Sequence, residues 1–375
     1  MARLGDLIVG AGGRPQRQPV SKALSKGREV LVASAPEALL HDLRDLIATA
    51  RERVARQVNE ELVALYWTVG KRIREHLLKF KRAEYGRQTV SALGRQLSAE
   101  FGDGFSDKSL RHMVRFAEAF PDDGIVSALR RQLGWTHFKR IIYIDDALKR
   151  DFYAEMCRVE RWSTRTLDQK IGGMLYERTA LSKKPAKLVR QEIDALRHDG
   201  TLTPDLVFRD PYILGFLGLK DRYLEKDLED AIVRELERFI LELGAGFTFV
   251  ARQKRITVDN DDHYLDLLFF HRGLRRLVAI ELKLGDFRAA DKGQMELYLR
   301  WLERNDTQPG EEPPIGLILC AGSKRETVEL LELEKSGIRV ASYWLELLPR
   351  KLLEKKLHDA IVVAKGLIEA REARK

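Results

Sequence analysis

The pattern of hydrophobic and polar positions changes character near the middle of the chain. Before about residue 180, apolar residues recur at helical spacing, which is typical of amphipathic helices. After about residue 245, short continuous apolar runs end at turn-forming residues, as buried strands do. The pattern therefore predicts a mostly α-helical N-terminal bundle, followed by an α/β domain whose mixed sheet is covered by helices on both faces.

Changes in composition predict where the domains begin and end. Residues 1–35 are rich in Gly, Arg and Ser, and we expect a disordered leader there. Residues 36–182 carry the helical pattern, and residues 205–375 carry the pattern of strands and helices. Between them, residues 183–204 mix polar side chains with two prolines, which is typical of a linker.

The predicted elements of the α/β domain follow a simple order. An amphipathic helix over Leu224–Leu243 comes first, a second helix covers Ala289–Glu303, and a third covers Arg350–Glu372. The predicted strands are Phe247–Gln253, Arg255–Val258, Tyr264–His271, Arg276–Lys283, Gly316–Cys320 and Val340–Trp344.

One predicted hairpin carries most of the candidate chemistry. If Gly273–Leu274 forms a two-residue loop, Asp266 on the first strand lies directly opposite Glu281 on the second. Opposed residues share a face, with Cβ atoms roughly 4.5–5.5 Å apart. Lys283 follows two residues later and points the same way. Two carboxylates and an ammonium then converge in an apolar strand pair, which is unfavourable unless a metal ion or a reaction needs them.

The chemistry that fits this cluster is metal-assisted phosphodiester hydrolysis. Mg²⁺ prefers oxygen ligands and often takes one or two protein carboxylates, so Asp266 and Glu281 are the candidate ligands, with the carbonyl of Leu282 as a third and Mn²⁺ as a substitute ion. Lys283 would orient the attacking water or stabilise the transition state. The alternative is a charged hairpin end, in which Lys283 forms an ion pair with either acid.

Composition excludes several protein classes. The chain has 375 residues, 33% of them charged, and a mean hydropathy of -0.32. It contains no apolar run of 18 or more residues and no signal-peptide pattern, so we expect no membrane segment. Cys157 and Cys320 lie far apart, which favours buried thiols in a reducing cytoplasm over a disulfide or a zinc site.

The net charge of +9 is unevenly distributed, because the basic excess lies in residues 1–200. Within that half, a turn at 101–105 precedes a helix that Ser106 and Ser109 could cap. This pattern predicts a helix-turn-helix whose basic side chains contact DNA phosphates or base edges, and two antiparallel helices of a bundle give the same pattern. The basic side chains are Lys108, Arg111, His112 and Arg115.

A second basic segment follows at residues 134–142. Here Lys139 and Arg140 come directly after Trp135 and Phe138. Aromatic side chains among basic ones can stack on nucleic acid. Core packing is the commoner reason for such aromatics, and both readings stay open.

The order helix, strand, Asp on a strand, turn, Glu-x-Lys on the next strand, helix, strand resembles the PD-(D/E)XK nuclease superfamily. The resemblance implies that Asp266 and Glu281 bind a divalent metal and that Lys283 assists the water. The proline of the family name is replaced here, because Leu265 precedes Asp266. That position carries no chemistry.

The same resemblance suggests three further residues. Gln294 and Tyr298, at i and i+4 on one helix, resemble the Gln-xxx-Tyr element of RecB-type members, which lies beside the metal site. An ordinary helix face is the alternative reading. The superfamily usually supplies another acid from the helix before the sheet, and either Glu229 or Glu235 could provide it, with Glu229 preferred.

The N-terminal half resembles the domain that precedes the nuclease domain in YhcG-like bacterial proteins. The resemblance rests on the helix around Trp67 and on the segments FSDKSLRHM, GWTHFKRII and RWSTRTLDQKI. It covers nearly the whole chain from about Pro36 and implies a winged-helix-like DNA-binding domain. It implies no particular substrate.

Two hypotheses from different classes follow. The first is a Mg²⁺-dependent DNA endonuclease acting on branched or foreign DNA, in repair, recombination or genome defence. Cutting both strands needs two active sites, which favours a homodimer. The second is a catalytically silent DNA-binding or scaffold protein that keeps the nuclease fold. The complete set of Asp266, Glu281 and Lys283 favours the first, because loss of activity would usually have removed one of them.

Overall fold

The computed structural model describes residues 34–78, 83–219, 224–322, 328, 330–346 and 349–372. The predicted leader therefore lies outside the described residues, except for its last two, which begin the first helix. The chain divides into two compact units, Met1–Val58 and Asn59–Lys375. The described part of the first unit is the N-terminal portion of that helix, and the remaining elements belong to the second unit.

The described residues before the sheet are almost entirely helical, as predicted. The helices are α1 (Ser34–Leu78), α2 (Ala83–Phe101), α3 (Asp107–Ala119), α4 (Asp123–Leu129), α5 (Trp135–Ile141), α6 (Ala147–Glu160), α7 (Thr164–Gly172), α8 (Leu175–Arg178), α9 (Ala186–Asp199) and α10 (Pro204–Val207). Short 3₁₀ turns cover Asp103–Phe105 and Ala180–Lys183. Helix α9 lies inside the predicted linker, and the domain boundaries stay predictions.

Aromatic side chains make the core of this helical region. The rings of Phe116 and Phe138 lie 4.5 Å apart between centroids, and both side chains are fully buried. Trp135 packs against Phe116 and against Tyr66. The indole of Trp67 donates a hydrogen bond to the carbonyl of Phe120 at 2.8 Å. Phe138 is therefore a core residue, and Trp135 packs partly buried against the same core.

The helix-turn-helix region differs from its prediction in detail. Ser106 is at the N-cap position of α3, but its hydroxyl contacts the hydroxyl of Ser109 at 3.0 Å and makes no capping bond to the backbone. A winged helix also needs a β-hairpin as its wing, and no strand occurs within 34–78 or 83–211. In these ranges the structure shows packed helices, and it does not support the predicted wing.

A six-stranded mixed sheet forms the centre of the α/β domain. The strands are β1 (Tyr212–Ile213), β2 (Phe247–Val258), β3 (Asp261–His271), β4 (Arg276–Asp286), β5 (Ile315–Gly322) and β6 (Ile338–Trp344), in the order β1-β6-β5-β4-β3-β2. Strands β2, β3 and β4 pair antiparallel, and the remaining pairs are parallel. The helices are α11 (Glu225–Arg234), α12 (Leu236–Leu243), α13 (Ala289–Asn305) and α14 (Arg350–Glu372), with 3₁₀ turns at Gly215–Leu217 and Leu333–Ser336.

Helices cover both faces of the sheet, as predicted. Leu228 of α11 and Phe239 of α12 pack with Phe269 of the sheet, in one buried cluster. Met295 of α13 packs with Leu268 in a second buried cluster. The sheet is thus shielded from water on each side, which explains why its strands read as continuous apolar runs.

Two elements were predicted with the wrong boundaries. The helix expected over Leu224–Leu243 is broken at Glu235, so that α11 and α12 are separate. The two strands expected on either side of residue 254 form the single strand β2, which contains a bulge between Phe249 and Ala251 and a kink at Gln253. Local sequence propensity predicts where strands occur, but it does not reveal that a single strand contains a kink.

The predicted register of the β3–β4 hairpin is confirmed. Leu267 pairs with Ile280, and His271 pairs with Arg276 across a turn formed by residues 272–275. The same register, continued by one residue, sets Asp266 opposite Glu281.

A buried ion network joins the end of the helical region to the α/β domain. Glu242 of α12 pairs with Arg178 of α8 and, at 3.2 Å, with Arg209. The backbone N–H of Ile213 also donates to Glu242 at 2.9 Å. Burial alone would raise the pKa of Glu242, but Arg209 and Arg178 outweigh it and keep that pKa below its ordinary value.

Cys157 and Cys320 are both buried and free, as predicted. Burial raises the pKa of Cys157 to about 12 and that of Cys320 to about 11, which disfavours the reactive thiolate form of both. Within the described residues, no helix combines the length and the apolarity needed to cross a bilayer.

Candidate active site

The structure brings Asp266, Glu281 and Lys283 together where β3 and β4 separate. The N–H of Leu282 donates to Asp266 Oδ2 at 2.9 Å, and the N–H of Asp266 lies 3.4 Å from Glu281 Oε1. Lys283 Nζ donates to Glu281 Oε2 at 3.1 Å. Each acid therefore contacts the backbone of the opposite strand, and the contacts replace ladder hydrogen bonds that end at Leu267 and Ile280.

The two acids share an environment that disfavours negative charge. Glu281 is 3% exposed, and burial together with the charge of Asp266 raises its pKa to about 7. Burial also raises the pKa of Asp266, and the charge of Glu229 adds to this. Burial alone would lower the pKa of Lys283, but the neighbouring Glu281 outweighs it and raises that pKa. Such a site gains stability when a cation enters it.

Glu229 of α11 approaches the same cluster from the other side. Gln253 Nε2 donates to Glu229 Oε2 at 2.9 Å and to Asp266 Oδ1 at 3.1 Å. Arg252 donates to Glu229 Oε1 at 2.5 Å. Glu235, the other candidate, instead pairs with Arg238 at 3.2 Å. Of the two acids, the structure therefore places Glu229 beside Asp266.

Gln294 and Tyr298 lie on α13, which covers the face opposite α11. Gln294 Nε2 donates to the hydroxyl of Tyr298 at 2.7 Å, and this hydroxyl lies 3.4 Å from the carbonyl of Tyr264. Burial raises the pKa of Tyr298, with a contribution from the charge of Glu281. The pair is therefore near the acids, although neither side chain hydrogen-bonds to them among the contacts of the described residues.

A surface cavity of about 390 Å³ opens beside Asp266. Its lining consists of Glu225, Lys226, Glu229, Arg252, Gln253 and Asp266. Glu225 also accepts a hydrogen bond from the N–H of Leu284 at 3.3 Å. Asp266 and Glu229 are therefore reachable from solvent on this side.

The donor set suits a hard divalent cation. Asp266 and Glu281 offer carboxylate oxygens, and Lys283 is the cation that contacts Glu281. No cluster of three or more His, Cys, Asp or Glu arranged to hold a metal is found in the part of the chain described. Mg²⁺ nevertheless needs only one or two carboxylates with water and carbonyl oxygens, so the residues present fit it.

The predicted DNA-contacting residues are partly committed to ion pairs. Arg111 pairs with Asp107 at 3.0 Å, and Arg115 pairs with Asp145 at 2.8 Å. Arg140 pairs with Asp168 at 3.2 Å, and His112 Nδ1 contacts the Tyr143 hydroxyl at 2.6 Å. Lys108 and Lys139 form no salt bridge among the described residues.

The positive charges of this surface nevertheless lie close together. Burial lowers the pKa of His112, and the charges of Lys139 and Lys108 lower it further. Lys108 of α3 and Lys139 of α5 therefore both lie near His112.

Sequence reasoning missed Gln253 and Arg252. The available signal was the interruption of the apolar pattern at residues 252–255, where the sequence predicts one strand ending at Gln253 and another beginning at Arg255. In the structure the strand is continuous there, and its kink brings Gln253 to Asp266.

Comparison with known proteins covers both halves of the chain. Residues 42–178 match the family described as DUF1016 N-terminal domain, and residues 205–358 match the YhcG PDDEXK nuclease domain. "Putative nuclease YhcG" of Escherichia coli (strain K12) is 33% identical over 388 residues, which cover 93% of this chain and 98% of that protein.

Two solved structures are similar over a shorter stretch. A repair endonuclease from Pyrococcus abyssi is 20% identical, covering 35% of this chain and 50% of its own, with a TM-score of 0.23. EndoMS in a dsDNA complex is 18% identical, covering 35% and 49%, with a TM-score of 0.26.

Proposed function

The chain belongs to the YhcG nuclease family, and on that premise we propose that it is a divalent-metal-dependent nuclease that hydrolyses phosphodiester bonds in DNA. The observation that carries the proposal is the convergence of Asp266, Glu281 and Lys283 where two buried strands separate. A charged cluster this buried is unfavourable for folding alone, so it calls for a chemical reason.

Each residue has a role that its position supports. Asp266 and Glu281 bind Mg²⁺, or Mn²⁺ in its place, together with the carbonyl of Leu282, and Glu229 adds a further acid. The bound cation supplies charge stabilisation for the phosphate and makes a nearby water more acidic. Lys283, 3.1 Å from Glu281, orients that water or stabilises negative charge on the phosphate. Gln294 and Tyr298 border the site from α13.

DNA is the proposed substrate because the helical region supplies the positive charge that a polyanion needs. The net charge of the chain is +9, and the excess lies in residues 1–200. Lys108 and Lys139 lie near His112 and form no salt bridge within the described part of the chain, while Arg111, Arg115 and Arg140 can exchange their carboxylate partners for phosphates. Cleavage of both strands would use two copies of the chain as a homodimer. The buried free thiols fit a reducing cytoplasm.

The test is cleavage of labelled linear duplex, branched and single-stranded DNA, with RNA in parallel and with Mg²⁺ or Mn²⁺ present. We expect metal-dependent cleavage of DNA, lowered at least about a hundredfold in Asp266→Ala and in Lys283→Ala because each loses charge stabilisation at the phosphate. The matched controls are Asp262→Ala, an exposed acid of the same strand, and Lys335→Ala, an exposed lysine paired with Glu332.

Both controls should keep wild-type activity. Full activity of either site variant would show that the assigned site does not perform the reaction. Cleavage of RNA alone would keep the metal chemistry and reject DNA as the substrate.

A further inference from the structure

Gln253 combines an unusual backbone with an unusual set of contacts. Its φ is 47°, in the left-handed region, although it lies inside strand β2. The register of the β2–β3 ladder, in which Arg252 pairs with Leu267 and Lys254 with Leu265, sets Gln253 opposite Asp266. A side chain in this backbone region is strained, and such strain is commonly retained at functional sites.

The kink coincides with a reversal of the faces of β3. Leu267 packs in the cluster that contains α11, whereas Leu265 packs in the cluster that contains α13. Residues two apart on a regular strand share a face. The strand therefore turns over at Asp266, and this lets Asp266 meet Glu281 on its partner strand and Glu229 on α11.

The amide of Gln253 connects these two sides. Its Nε2 donates to Glu229 Oε2 at 2.9 Å and to Asp266 Oδ1 at 3.1 Å. The other oxygen of each acid is also fixed, since Leu282 N–H donates to Asp266 Oδ2 at 2.9 Å and Arg252 donates to Glu229 Oε1 at 2.5 Å. Both carboxylates are therefore oriented through both of their oxygens.

A neutral donor is the right chemical type for this position. Two carboxylates this close repel each other, and the charge of Glu229 contributes to the raised pKa of Asp266. Arg252 already brings one positive charge to Glu229, and a lysine or arginine in place of Gln253 would add a second. A primary amide has two N–H groups and no charge, so it orients both acids without further reducing the negative charge that attracts a cation.

We propose that Gln253 is a positioning residue that fixes Glu229 against Asp266, so that both acids serve one divalent-cation site. This rests on the proposed function, and it assigns Glu229 to the site through a residue that does not itself bind the metal. The positive φ is the conformation that brings the amide of Gln253 within reach of both carboxylates.

The experiment measures Mn²⁺ binding to the full chain without DNA, by calorimetry and by electron paramagnetic resonance. Loss of a side chain that orients a metal ligand typically weakens metal affinity about 10–100-fold, and we expect this for Gln253→Ala. Gln308→Ala is the matched control, because Gln308 is an exposed glutamine whose amide donates to the carbonyl of Asp306. The control should bind Mn²⁺ as the wild type does.

Gln253→Gly separates a positioning role from a structural one. Both Gly and Ala remove the amide, but Gly adopts positive φ without strain, so Gln253→Gly should unfold at a higher temperature than Gln253→Ala. A positioning role predicts equal loss of Mn²⁺ affinity in the two variants. An affinity that recovers with stability in Gln253→Gly would overturn the proposal.

A double-variant cycle tests whether Gln253 acts through Glu229. In a Glu229→Ala background, the further change Gln253→Ala should alter Mn²⁺ affinity less than about threefold, because Asp266 is still held by the N–H of Leu282 and Glu229 is absent. A full additional loss would overturn the proposal. Asp266→Ala gives the reference: if it abolishes binding while Gln253→Ala binds normally, only the role of Gln253 fails, and if Asp266→Ala binds Mn²⁺ normally, the proposed function fails with it.

Discussion

The buried ion network around Glu242 provides the sharpest test of how the two parts of the chain are joined. Glu242, 15% exposed at its side chain, accepts from Arg178 and Arg209, which are 6% and 4% exposed. Glu242→Gln keeps the size of the side chain and removes its charge. The two guanidinium groups would then be buried beside each other without the carboxylate that both of them contact.

The expected cost follows from that arrangement. Removing one partner of a buried pair costs about 3–5 kcal/mol, because the remaining charge stays desolvated. Glutamine can still accept a hydrogen bond from the N–H of Ile213, so we expect the free energy of unfolding to fall by about 3 kcal/mol, the lower end of that range. Because two arginines lose their partner, we do not expect a loss of unfolding free energy smaller than this.

The assay is urea denaturation followed by circular dichroism and tryptophan fluorescence, with Glu237→Gln as the control. Glu237 is exposed on the same helix, so its variant should change the free energy of unfolding by less than about 0.5 kcal/mol. The first unfolding transition of Glu242→Gln should move to lower urea, and if it lies within about 1 kcal/mol of wild type, the network does not join the two regions.

Two further predictions concern pH and salt. His271 is fully buried, its Nδ1 accepts the N–H of Leu274, and burial lowers its pKa from 6.5 to about 4. Because the unfolded chain binds this proton more readily, the free energy of unfolding should decrease by about 3 kcal/mol as pH falls from about 6.5 to about 4. In urea titrations across this range, His271→Phe should show a correspondingly smaller loss, and an equal loss would count against the assignment. For DNA, the joint change of Lys108 and Lys139 to Ala should reduce the slope of log affinity against log salt by about 2, whereas Lys335→Ala should not, and an unchanged slope in the joint variant would move the DNA-contacting surface elsewhere.

The core of the site could be predicted because it depends on local chain geometry. The register of a hairpin follows from its turn, so the position of Gly273–Leu274 determines that Asp266 faces Glu281. Lys283 then follows from the two-residue period of a strand. These inferences need no knowledge of what packs on the sheet.

Other features depend on side chains that meet across long sequence distances. The choice between Glu229 and Glu235 is made by the break between α11 and α12, which directs Glu235 to Arg238. Arg115 and Arg140 looked free in the sequence, but Asp145 and Asp168, from later segments, pair with them in the fold. Helical periodicity predicts which face of the helix carries a side chain, but it does not predict which distant residue that side chain contacts.

The sequence by itself therefore determined the order of the elements, the burial of the sheet and the facing of Asp266, Glu281 and Lys283, because periodicity and turn chemistry act over a few residues. Only the tertiary structure decided that β3 turns over at Asp266, that Gln253 spans the gap to Glu229, and that Glu242 joins two regions. These are contacts between segments far apart in the chain. Their geometry is decided by packing around a shared core, where small kinks bring distant side chains within hydrogen-bonding range.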